Sequence, residues 1–167
     1  MPVAEPPGAN GTRPATRIMT KTKLYDDLIM EHIKHTRNYR VLDGANRKAN
    51  GSNPLCGDDI TVYARIEDAL IADIAFQCAC CGISMASASI MTEIVKGRRS
   101  DEARPLLRAF IALLDSHADS RLQDIDPLQR ALLCAVNDYP VRTRCAALPW
   151  ATLEAALDGR QETVFVR

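Results

Sequence analysis

FQCACCGISMASAS, residues Phe76 to Ser89, packs three cysteines against the start of what its small residues predict to be a helix. A thiolate at a helix N-terminus faces unpaired backbone N–H groups and the positive end of the helix dipole, so its charged form is favoured. The stretch therefore suits sulfur chemistry or a metal ion. Two other segments offer partners: NPLCGDD at Asn53 to Asp59 and TRCAALPW at Thr143 to Trp150. Cys56, Asp58, Cys81 and Cys145 together make four donors, the number that tetrahedral zinc takes. Single scattered cysteines are a weaker signal than paired C-x-x-C knuckles, and a plainer reading stays open on spacing alone. In that reading Asp58 caps a turn, Cys56 packs, and Cys78 to Cys81 ends a strand with side chains on alternating faces.

Upstream of this stretch the pattern has a period of two. Ile60, Val62, Ala64 and Ile66 alternate with Thr61, Tyr63 and Arg65; Glu67-Asp68 interrupts; Leu70, Ala72, Ile74 and Phe76 resume the alternation. This predicts an antiparallel hairpin that is polar on one face. Cys56 and Asp58 precede its first strand and Cys81 follows its second, so the pairing brings them to one edge. Further upstream, Arg37 to Ser52 reads as a polar connector, with turn signals at Asp43-Gly44 and Asn50-Gly51 and a short strand at Arg40 to Leu42. Thr22 is placed to cap a helix whose apolar positions are Leu24, Tyr25, Leu28, Ile29 and Ile33. His32 and His35 lie on or just beyond that helix. They form no i, i+4 chelating pair, so they read as surface or half-buried histidines. Met1 to Thr20, rich in Pro, Gly, Thr and Ala, reads as a disordered arm. Arg13 and Arg17 suggest a transit peptide, but the prolines argue against its amphipathic helix.

Downstream, a helix is predicted from Ile83 to about Lys96 with Gly97 as its stop. The small residues Ser84 to Ser89 would let a neighbouring backbone come close. A second helix begins at Ser100, tolerates Pro105 near its start, and buries Leu106, Leu107, Phe110, Ile111 and Leu114. Asp126, Pro127 and Gln129 form an N-terminal signature for a third, carrying Leu128, Leu132, Leu133 and Val136, with Cys134 read as core. The last helix is expected from about Ala146 to Asp158. Pro149 then falls in its first turn and Cys145 at its entrance. Residues 160–167 read as a tail, which leaves 21–159 as one domain.

Composition narrows the function. A chain of 167 residues fits a single domain, and 21 basic residues balance 21 acidic ones. No broad attraction to nucleic acid or to anionic membrane is expected. No apolar run approaches the roughly eighteen residues of a membrane span, and no signal segment opens the chain. A cytoplasmic protein is therefore expected, with its six cysteines reduced.

The motifs NPLCGD, CGISMASASIMT and PVRTRCAALPWATLEAAL, in that order, resemble the NifU/IscU-type iron–sulfur scaffold superfamily, most closely its SufU branch. The resemblance runs from about Leu24 to Leu157. The interval between Cys81 and Cys145 is long enough for the additional helical segment of SufU-type proteins. Arg144 precedes the last cysteine, where IscU-type scaffolds carry a histidine. The resemblance implies an α+β fold, a small antiparallel sheet of about three strands packed against several helices. It implies zinc ligands at Cys56, Asp58, Cys81 and Cys145, and zinc-dependent transfer of persulfide sulfur from a SufS-type cysteine desulfurase to Cys56. From there sulfur would pass to the downstream iron–sulfur assembly machinery, with a partner histidine implied to replace Cys56 on zinc during docking. Arg142 matches a family arginine implied to steady the site or touch the partner; its alternative is a solvated charge. The alternative role implied for the whole chain is a scaffold on which a [2Fe–2S]-type cluster is assembled and passed on. Cys78 and Cys80 depart from the family pattern. They could substitute as ligands, resolve a persulfide, or pack at the strand end.

Overall fold

The computed structural model describes residues 26–116, 125–136 and 139–166. The alternation at residues 58–67 governs the architecture. Asp58, Ile60, Val62 and Ala64 are buried on one face of β2 (Asp58–Glu67), which pairs antiparallel with β3 (Leu70–Ala79) from Asp59↔Ala79 to Glu67↔Leu70. Asp68 and Ala69 take positive φ to make the tight connection. The hairpin expected from the sequence is thus present, and Asp58 and Cys81 lie at one end of it.

The sheet has four strands, in the order β3-β2-β1-β4, rather than about three. β1 (Arg47–Asn53) runs antiparallel to β2, and the two-residue β4 (Val164–Phe165) adds in parallel on its outer edge. Several expectations change. The segment Arg37 to Ser52 is not a connector throughout, and Asn50-Gly51 lies within a strand instead of a turn. No strand forms at Arg40 to Leu42, where Tyr39 makes only an isolated bridge to Phe76. Val164–Phe165, within the stretch read as a tail, supplies β4.

The helices are α1 (described over residues 26–34), α2 (Gly82–Val95), α3 (Ser100–Ser116), α4 (Pro127–Val136) and α5 (Pro140–Leu157). Gly97, at φ 83°, follows the α2 C-cap in the left-handed region, the conformation that suits a helix stop. At α4, Asp126 Oδ1 accepts the Leu128 N–H at 2.8 Å and Gln129 Oε1 accepts the Asp126 N–H at 3.2 Å, a reciprocal cap. Cys134 is exposed rather than core, because the buried side of α4 is carried by Gln129, Ala131, Leu132 and Val136. The arm Met1 to Thr20 and the cap residue Thr22, with Leu24 and Tyr25, lie outside the described residues.

α5 is the centre of the molecule, packed on β1, β2, α2, α3 and α4. Twelve of its residues are buried, four of them alanines, so it reads as a helix enclosed on most sides rather than one with a single apolar stripe. Trp150 stacks at a tilt on Phe110, ring centroids 4.5 Å apart, and donates its Nε1–H to Ser87 Oγ at 2.8 Å. β1 must yield to α5: a Cβ on Gly51 would run into Thr152 Oγ1 and come within 3.0 Å of Leu148 Cδ1. This contact explains why glycine occupies a strand interior, where it is otherwise unfavourable.

His32 is buried rather than surface or half-buried, and it ties α1 to α2. Ser89 Oγ accepts the Arg37 N–H at 3.0 Å and lies 2.7 Å from His32 Nδ1, to which its own proton is free to be donated. That arrangement suits the neutral imidazole. Burial lowers the His32 pKa, and Arg37 adds to the effect against the opposing pull of Glu93 and Glu31.

Gly51→Ala is expected to destabilise the fold by about 1–3 kcal/mol, the usual penalty of overpacking, as read by denaturant titration. Thr152→Ala in the same chain should recover part of the loss; a neutral Gly51→Ala would contradict the packing described. Because His32 titrates lower in the fold than in the unfolded chain, unfolded chains take up its proton first as pH falls. This contribution to stability is complete above about pH 6.5 and is lost as pH drops below that value. Unfolding curves from pH 8 to pH 5 should show a smaller acid loss for His32→Gln than for the native chain.

Candidate metal centre

Three elements deliver the sulfur and carboxylate groups. Between β1 and β2 the chain turns through a Cys56 N–H to Asn53 C=O bond of 3.2 Å, and Gly57 at φ +70° completes the turn. A side chain at Gly57 would be strained, and the turn leaves Cys56 exposed. Asp58 opens β2 on its buried face. Cys81 is the N-cap residue of α2, at φ −71° and ψ 167°, as its sequence position implied.

Cys145 differs from expectation. α5 begins at Pro140, so Cys145 lies in the second turn and Pro149 well inside the helix. Helix-dipole support therefore reaches Cys81 but not Cys145. Pro149 also has no N–H to give the carbonyl four residues back, which is that of Cys145. Ser84, from α2, fills the gap: its Oγ lies 2.9 Å from the Cys145 carbonyl and 3.1 Å from Asp58 Oδ2. Ser87 Oγ donates to the neighbouring Ala146 carbonyl at 2.6 Å. The small residues of α2 thus do bring a backbone close, and they do so by hydrogen bonds to α5.

Three of the four donors expected from the sequence, Cys56, Asp58 and Cys145, cluster at one end of the sheet, and Cys81 reaches the cluster through Asp58. Cys145 Sγ and Cys56 Sγ are 3.3 Å apart, and with an Asp58 carboxylate oxygen they lie mutually within 4.8 Å. Cys81 Sγ is 3.7 Å from Asp58 Oδ2, whose partner oxygen accepts the Cys81 N–H at 2.9 Å. Asp58 therefore does cap, as the plainer reading had it, but it caps the entrance of α2 from across the sheet and sits among the sulfurs as well. Tetrahedral coordination at zinc bond lengths puts neighbouring donors about 3.3–3.8 Å apart. Cys56, Asp58 and Cys145 are grouped closely enough to share an ion, and their sulfur and carboxylate chemistry suits zinc; Cys81 approaches the group through Asp58.

Cys145 is fully buried. Burial pushes its thiol well above the ordinary range, and Cys56, Asp58 and Cys81 push in the same direction. A cation held by these groups reverses that balance, because a coordinating thiol gives up its proton. Asn53, also buried, directs its Nδ2 to Cys145 Sγ at 3.7 Å, while its Oδ1 has no hydrogen-bond partner. Asn53 and Ser84 were not singled out by the sequence reading. Their signals were spacing: three residues before Cys56 and three after Cys81.

Arg142 and Arg144 are exposed on the first turns of α5, and neither side chain joins an ion pair among the described residues. Cys145 is buried while the arginines one and three residues before it reach solvent. Cys78 and Cys80 are joined in a disulfide, so the expectation of six reduced thiols is corrected for this pair. Cys80 lies just beyond the end of β3, where the chain departs from the extended strand and the two Cα atoms come to 5.4 Å of each other.

The NifU-like N terminal domain family model matches residues 24–146, and the chain belongs to that family. Among relatives, it is 36% identical over 134 residues to the zinc-dependent sulfurtransferase SufU of Bacillus subtilis, covering 78% of this chain and 87% of that protein. It is 31% identical to the iron–sulfur cluster assembly scaffold protein IscU of Thermotoga maritima, covering 80% and 92%. A solved structure of an iron–sulfur cluster assembly scaffold protein for the SUF system from Fervidobacterium islandicum superposes with a TM-score of 0.70 at 29% identity, over 78% of this chain and 93% of that one. No helix among the described residues is long and apolar enough to cross a membrane.

Ser84→Ala removes the donor between the Cys145 carbonyl and Asp58, and should cost about 1–3 kcal/mol in denaturant unfolding. Pro149→Ala supplies an N–H to the same carbonyl, so the double variant should lose less than the sum of the two single effects. Strict additivity would contradict the assignment of Ser84 to the gap left by Pro149.

Proposed function

We propose that the chain is a zinc-dependent sulfur-transfer protein of iron–sulfur cluster biogenesis. In this reading Cys56, Asp58, Cys81 and Cys145 hold the zinc, and Cys56 accepts sulfur from a partner cysteine desulfurase of the SufS type. The observation that carries it is the asymmetry of the donor cluster: Cys56 is exposed on a turn, whereas Cys145 and Asp58 are buried and clamped by α2. One thiol can leave while the others stay. Bound zinc would keep the thiolates deprotonated without redox chemistry of its own.

The transfer is a thiol exchange. The Cys56 thiolate attacks the outer sulfur of the partner's persulfide, the partner's thiolate leaves, and a persulfide remains on Cys56. Leu55, Tyr139 and Val141 are exposed apolar side chains next to Cys56 and at the head of α5. They suit a protein partner more than a small solute. Arg142, on the same exposed turn, is assigned to contact with that partner rather than to the chemistry. The relatives named as IscU scaffolds supply the second reading, assembly of a [2Fe–2S]-type cluster on the same donors. Arg144 disfavours it, since it replaces the histidine of IscU-type scaffolds.

The chain purified without added metal should carry about one zinc and raise the turnover of a SufS-type desulfurase, with sulfur found on Cys56 by mass spectrometry. Cys56→Ala should abolish the stimulation and leave circular dichroism unchanged. A chain that stimulates nothing but takes up a coloured cluster from iron and sulfide, and delivers it to an apo-protein, would replace this reading with the scaffold one.

A further inference from the structure

We propose that Cys78 and Cys80 are a redox couple that reduces the delivered sulfur to hydrosulfide; this rests on the reading of Cys56 as sulfur acceptor. Sulfur arriving as a persulfide is at the oxidation level of elemental sulfur, whereas hydrosulfide carries two more electrons. A dithiol that closes to a disulfide releases two. The pair that can do so is joined as a disulfide at the end of β3.

Its position is set by the ladder. The ladder ends at Asp59↔Ala79, so Cys80 is the one residue between the end of β3 and the α2 N-cap, next to the strand end that Asp58 opens. Cys81 is the next residue, with its sulfur 3.7 Å from Asp58 Oδ2. Cys78 is held from the other side by α2, its Sγ 3.9 Å from Met85 Sδ, and by Tyr39, whose hydroxyl donates to the Cys78 carbonyl at 3.0 Å. Cys78 also lines an open cleft of about 510 Å³ with Tyr39, Asp59, Gln77 and Ala79. The couple thus sits directly before the donor Cys81 in the chain and borders an open cleft at Cys78.

The chemistry balances in two exchanges. The Cys80 thiolate attacks the outer sulfur of the Cys56 persulfide, which transfers that sulfur and returns Cys56 as a thiolate. The Cys78 thiolate then attacks Cys80 Sγ, forming the Cys78–Cys80 disulfide and expelling hydrosulfide. The two thiolates are oxidised and the transferred sulfur is reduced by the same two electrons. A dithiol reductant of the thioredoxin class, entering by the cleft, restores the pair and leaves with its own disulfide.

The test uses the full zinc-loaded chain in two forms, with the Cys78–Cys80 disulfide intact and after reduction on an immobilised dithiol that is then removed. Each form receives one equivalent of glutathione persulfide. Hydrosulfide, the mass of the Cys56 peptide, and alkylation of Cys78 and Cys80 are read together. The reduced form should release several-fold more hydrosulfide than the disulfide form and lose both alkylatable thiols, while the disulfide form keeps its sulfur on Cys56. Reduced Cys80→Ser should behave as the disulfide form does. Persulfide retained on Cys56 of the reduced chain, with Cys78 and Cys80 still alkylatable, overturns this inference and leaves the acceptor reading standing. No persulfide on Cys56 and no extra hydrosulfide in either form overturns both.

Discussion

A short chain of hydrogen bonds through Asp58 holds the rest in place. One carboxylate oxygen takes the N–H of Cys81, and the single hydroxyl proton of Ser84 is shared between the other oxygen and the nearer carbonyl of Cys145. β2, α2 and α5 are thereby fixed to one another through buried polar groups, which are costly unless satisfied. The geometry of the sulfurs follows from that requirement. Cys145 is positioned because its own carbonyl, released by Pro149, must be satisfied by Ser84. Cys81 is positioned because its N–H is one of the unpaired donors at a helix start.

The arrangement separates rigid from movable groups. Cys145 and Asp58 belong to buried elements, and Cys81 is tied by its backbone. Cys56 stands on a turn made possible by Gly57, with only the Asn53 carbonyl holding its N–H. A site that must release one ligand and keep the others needs this difference in restraint. The buried Cys145 thiol is costly to ionise by itself, and a cation shared by the whole donor set offsets that cost. Asn53, buried beside Cys145 Sγ, adds a donor that favours the thiolate there.

Much of this was legible in the chain. Strict alternation from Ile60 to Phe76 marked the hairpin, and antiparallel pairing alone brought Asp58 and Cys81 to one edge. What was missed depended on long-range contacts. β1 was not recognised because RKANGSN lacks β-branched residues and contains Asn50-Gly51, an ordinary turn signal. Gly51 is there for α5: Thr152 and Leu148 leave no room for a side chain. The start of α5 was misplaced for a related reason. Pro149 marks a helix beginning when read locally, and only Ser84, 65 positions earlier in the chain, makes it tolerable in the interior. Cys134 was assigned by residue type, whereas the face of α4 decided its exposure. The family motifs point to Cys56, Asp58, Cys81 and Cys145 more specifically than their spacing does.

The central claim is that three thiolates and one carboxylate from distant positions share a single divalent ion. X-ray absorption at the zinc edge of the native protein measures that set directly. The account predicts about one zinc per chain with a first shell of three sulfurs near 2.3 Å and one oxygen near 2.0 Å. A shell without sulfur, or a spectrum unchanged when Cys145 is replaced by serine, would contradict it.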